Sequence, residues 1–63
     1  MTKKVNEVID LLIENGWQYR GTKGDHHIFT KKGKRTIVVN GKRSHDLPIG
    51  TLKSILRTAG LTI

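Results

Sequence analysis

The chain is 63 residues long, carries a formal charge of +7, is 35% hydrophobic and has no cysteine. That length accommodates one small domain, residues 1–63, and a thin core, because a chain this short buries only about 60% of its unfolded surface. Disulfide frameworks, cysteine-based zinc sites, multi-domain enzymes and large cofactor folds such as a Rossmann domain are thereby excluded.

Thr2 is a candidate cap for a first helix, in which Val5, Val8, Ile9 and Leu12 recur at helical spacing on one face. Glu7, Asp10 and Glu14 fall elsewhere on the turn, as a solvated face requires, and Gly16 stands where the helix should stop. Trp17–Arg20 alternates apolar and polar, which predicts a first strand, followed by a turn bracketed by Gly21 and Gly24. His26–Lys31 predicts a second strand, closed by the tight turn Lys32-Gly33. Lys34–Asn40, β-branched around Thr36–Val39, predicts a third, ended by Asn40-Gly41. Leu52, Ile55, Leu56 and Ala59 return to helical spacing, with a start between Leu47 and Thr51, Gly60 as the C-cap and Leu61 packing back. The expected class is α+β in the order α-β-β-β-α. Three short strands joined by short turns form an antiparallel sheet, and both helices cover one of its faces.

Charge is distributed unevenly. Residues 1–16 are close to neutral, whereas Arg20, Lys23, Lys31, Lys32, Lys34, Arg35, Lys42 and Arg43 are opposed over the same stretch by Asp25 alone. A field of that kind in a small domain points to a polyanionic partner, with nucleic acid favoured over an acidic protein. No apolar run approaches the roughly 20 residues of a membrane span. The first residues lack the apolar stretch of a signal peptide, so the cytoplasm is the expected location.

The adjacent histidines must part company in a strand, because successive side chains point to opposite faces. Whichever face takes Phe29 takes His27, and Phe29, one of three aromatic residues, belongs against the helices. His26 then stands on the open face beside the turn. Were Ile28 the core residue instead, the two histidines would exchange roles. Diverging histidines with His45 as the remaining nitrogen ligand do not make a metal site, and no cofactor is implied. A histidine on a cationic surface has a direct chemical use on RNA, which carries its own nucleophile in the 2′-hydroxyl. Imidazole titrates near neutrality, so it exchanges that proton without a metal, and nearby cations stabilise the charge developing on phosphorus.

Gly24-Asp25-His26-His27-Ile28-Phe29, preceded by Gly16-Trp17 and followed by Asp46-Leu47-Pro48-Ile49-Gly50-Thr51-Leu52 and on to Ala59-Gly60-Leu61, closely resembles the HicA family of small toxins from bacterial toxin–antitoxin systems. The resemblance spans nearly the whole chain. It implies a fold like that of double-stranded-RNA-binding domains and metal-independent cleavage of mRNA by one histidine at the start of the second strand. It also implies neutralisation by a HicB-type antitoxin. Carried onto this chain, the catalytic residue is His26, with His27 the second choice if the turn shifts by one. Where the family has a Ser after the glycine, this chain has Asp25, which is expected to hold the histidine ring and to repel phosphate.

The leading expectation is therefore an endoribonuclease toxin, monomeric when free. RNA phosphates would be held by Arg20, Lys23, Lys31, Lys34 and Arg35, with Lys23 nearest the chemistry. The alternatives are a non-catalytic RNA-binding module of the same fold, and a domain whose basic face answers an acidic protein.

Overall fold

The computed structural model describes residues 3–61. Its elements are α1 (Val5–Glu14), β1 (Gln18–Lys23), β2 (His26–Thr30), β3 (Ile37–Asn40) and α2 (Ile49–Ala59). The sheet is antiparallel in the order β1-β2-β3. Both helices present their apolar stripes to one side of it. Val5, Val8, Ile9 and Leu12 of α1 and Leu52, Ile55, Leu56 and Ala59 of α2 share a single core with Trp17, Phe29, Ile37, Val39 and Leu47. This is the expected α-β-β-β-α arrangement, like that of double-stranded-RNA-binding domains. Among the described residues no helix is long and apolar enough to cross a membrane.

The N-cap position of α1 is Lys4; Thr2, expected there, lies outside the described residues. The first-turn amides are satisfied from afar. Val5 N–H donates to the His45 carbonyl at 2.8 Å and Asn6 N–H to the Arg43 carbonyl at 3.0 Å, while Glu7 accepts the Lys4 N–H at 3.0 Å. The loop between β3 and α2 is thus tied to the start of α1. Both helices end alike. Trp17 N–H reaches Leu12 O in α1 and Leu61 N–H reaches Leu56 O in α2, and each apolar residue folds back onto the core.

β1 begins one residue later than expected, at Gln18, and β2 ends one earlier, at Thr30; two further strand boundaries differ by three residues. β1 continues three residues beyond Arg20, and the turn shrinks to Gly24-Asp25. A β-bulge allows this. Tyr19 pairs with Phe29 and Gly21 with Ile28, leaving Arg20 as the extra residue, and Gly21 holds φ at +129°, a value that side chains rarely tolerate. β3 begins at Ile37 rather than Lys34, because the chain first completes a turn in which Lys34 N–H donates to Lys31 O.

Candidate active site

The register stacks the sheet into rungs that alternate between its two faces. Tyr19–Phe29–Ile37 and Thr22–His27–Val39 face the helices, while Lys23–His26–Asn40 and Gly21–Ile28–Val38 face away. Parity with buried Phe29 thus puts His26 outward, exposed, and His27 inward at 5% exposure. The bulge matters here. It brings Tyr19 and Thr22, three residues apart, to the same side of β1, and so leaves Lys23 to lie beside His26 on the other.

The outward rung is a compact set of polar groups. Lys23 and Asn40 flank His26 from the neighbouring strands. The Nδ1–H of His26 donates to Asn40 Oδ1 at 2.6 Å, which holds the ring and leaves Nε2 as the nitrogen available to a substrate. Asp25 does not take the role expected of it. Among the described residues its carboxylate makes no ion pair, the single one being Lys4 with Asp46. Its backbone carbonyl instead accepts the Gly41 N–H at 2.8 Å, which secures the turn before His26.

Beneath His26 on the helix side runs a directed chain of hydrogen bonds. His27 Nε2–H donates to the Gly41 carbonyl at 2.8 Å, and its Nδ1 accepts the Thr22 hydroxyl at 3.0 Å. Thr22 Oγ1 in turn accepts from the Tyr19 hydroxyl. Since a carbonyl only accepts, a neutral His27 ring carries its proton on Nε2, and the direction of the rest of the chain follows from that tautomer.

The cations predicted to bind RNA divide into groups. Lys23 joins His26, and Arg20 sits in the bulge with its guanidinium on Gln18 Oε1 at 3.3 Å. Lys31, Lys34 and Arg35 lie beyond the other end of β2, about 17 Å from His26 at an extended rise of about 3.3 Å per residue. There Lys31 Nζ donates to the Asn15 carbonyl at 2.8 Å, at the C-terminal end of α1, and Lys31 and Lys32 line a shallow hollow with Gly16, Gln18 and Thr30. Lys42 and Arg43 follow directly on Gly41 in the loop tied to α1, where the Arg43 carbonyl accepts the Asn6 N–H.

Sequence reasoning overlooked Asn40 and Gly41 as neighbours of the His26 strand end. A signal existed. A hairpin folded symmetrically about Gly33 sets Asn40 as far beyond the turn as His26 lies before it, and that is the pairing observed. Among the described residues no three His, Asp or Glu side chains cluster closely enough to hold a metal ion.

The fold and this rung define a small basic α+β domain with one exposed, oriented histidine on an otherwise open sheet face. A family model described as the HicA toxin of bacterial toxin–antitoxin systems matches residues 5–61, and the chain belongs to that family. It is thus a toxin with an antitoxin as its partner. No curated protein matches it.

Proposed function

We propose that the chain is a metal-independent endoribonuclease of the mRNA-interferase kind, acting in the cytoplasm through His26 and neutralised by a HicB-type antitoxin. The observation that carries this reading is the Lys23–His26–Asn40 rung. Asn40 fixes the His26 ring so that Nε2 is free to take a proton, and Lys23 is the register neighbour on the opposite side. Bound across this rung, RNA would give up its 2′-hydroxyl proton to Nε2. The 2′-oxygen then attacks phosphorus as the P–O5′ bond breaks, and the departing 5′-oxygen takes a proton from water. The upstream fragment therefore ends in a 2′,3′-cyclic phosphate or, after hydrolysis, a 3′-phosphate, and the downstream fragment in a 5′-hydroxyl. Lys23, paired with His26 in the register, would stabilise the charge that develops on the phosphoryl oxygens. The chemistry draws its nucleophile from the substrate, so it has no requirement for a metal-activated water. His27 is not equivalent to His26, since both its ring nitrogens are engaged within the protein.

The test pairs growth arrest on induced expression with cleavage of purified RNA in EDTA, for wild type, His26→Ala and His27→Ala. The expected result is cleavage by the wild type with 2′,3′-cyclic or 3′-phosphate ends. His26→Ala should lose about 10²–10⁴-fold of the rate while still binding RNA. Products with 3′-hydroxyl and 5′-phosphate ends, or a strict need for Mg²⁺, would overturn the mechanism. The rival reading, an RNA-binding module without chemistry, draws on the spread of cations to both ends of β2 and on exposed Val38 between them. It would stand if the wild type bound RNA but neither cut it nor arrested growth.

A further inference from the structure

His27 is the one buried polar residue among those described, and the proposed chemistry does not use it. An apolar side chain of similar size would fill the same space, but it would leave the Gly41 carbonyl without its partner. What such a residue would lose is the set of restraints that His27 places on its neighbours. On one side its Nδ1 accepts from Thr22, the residue before Lys23. On the other its Nε2–H holds the carbonyl of Gly41, the residue after Asn40. Gly41 is itself committed in two directions, because its N–H is bonded to Asp25 O, just before His26. It does this at φ +113°, a conformation that L side chains rarely adopt, so glycine alone fits without strain.

Resting on the proposed function above, we propose that His27 is a positioning residue for His26. Through Thr22 and Gly41 it fixes, from the buried face, the two side chains that flank His26 on the open face. Asn40 depends on this most. Its Oδ1 must remain within hydrogen-bond reach of His26 Nδ1 to hold the ring with Nε2 outward. The Tyr19–Thr22–His27–Gly41 chain links β1, β2 and the residue after β3, with His27 as its buried member and Tyr19 and Thr22 exposed on the edge strand. Displacements of the order of 1 Å in a reacting group cost about 10²-fold in rate, so loosened flanks should act on turnover.

The test uses full-length His27→Phe, His27→Gln and Thr22→Val, with two readouts: the tautomer of His26 by ¹⁵N NMR, and kcat and KM for a single-stranded RNA oligonucleotide of mixed sequence in EDTA. In the wild type the His26 proton should reside on Nδ1. In folded His27→Phe that preference should weaken, and kcat should fall about 10–100-fold with KM changed by less than about twofold. His27→Gln, whose amide offers both a donor and an acceptor, should recover part of each. An unchanged His26 tautomer and unchanged kcat in His27→Phe would overturn the proposal and reduce His27 to a core residue. If His27→Phe does not fold, Thr22→Val decides, with the same shifts at smaller amplitude expected and their absence overturning it. A wild type that cuts no RNA defeats the proposed function, yet the tautomer comparison still judges the role of His27.

Discussion

The two faces of one sheet, a single residue step apart, have opposite duties. On the helix side Phe29 and Val39 are fully buried, and His27 has both ring nitrogens committed to the protein. On the open side His26 is exposed, is held through one nitrogen by Asn40, and presents the other outward. The difference teaches that in a domain of this size chemistry and core are separated by parity alone. Substitutions should therefore sort by face, those on one side costing stability and those on the other costing activity, with His27 and Thr22, which position His26 from the helix side, as the exceptions.

The sharpest way to break that division is His26→Ala, for which the expected loss of about 10²–10⁴-fold in cleavage should come with a melting temperature within a few degrees of wild type. Phe29→Ala should do the reverse and cost about 3–5 kcal/mol by denaturant titration, because a fully buried ring is removed and a cavity left. A domain of this length has only about 3–9 kcal/mol in hand, so that variant stands near unfolding. Val38→Ala, outward in the adjacent strand, should stay within about 0.5 kcal/mol. Asn40→Ala sharpens the comparison on the open face. Losing the bond that orients the histidine ring should slow cleavage at least as much as His27→Phe does, about 10–100-fold, and leave folding intact.

The smallest effects should come from the cations at the two ends of β2. Lys23→Ala and Lys34→Ala should each reduce the slope of log K against log salt by about 0.7 if the residue contacts a phosphate of single-stranded RNA. Lys23→Ala should in addition lower kcat, as Lys34→Ala should not, since Lys23 alone of the two pairs with His26. Equal effects of both on kcat would remove the distinction between the ends. The Lys31 ammonium, bonded to the end of α1, should contribute less to the salt slope than Lys34.

Periodicity in the sequence determined the two helices, whose apolar stripes became the observed buried faces, and the strand order between them. It also determined the opposition of His26 and His27, because a period of two leaves no other arrangement once Phe29 faces the helices. The family resemblance was legible in the same residues, and the family match covers residues 5–61. What the tertiary structure decided was who stands beside His26. Asn40 is fourteen residues away along the chain and reaches the ring only through the β2–β3 register. Lys23 reaches the same rung through β1, with a bulge that no alternation pattern signals, since an extra residue shifts parity without leaving a gap in the sequence. The loop that carries Lys42 and Arg43 is held through its own backbone carbonyls, which accept the first-turn amides of α1, a contact that does not depend on which side chains the loop bears. Local pattern fixes which way a side chain points, whereas its neighbours depend on pairings between distant segments, and those are settled only when the whole core forms.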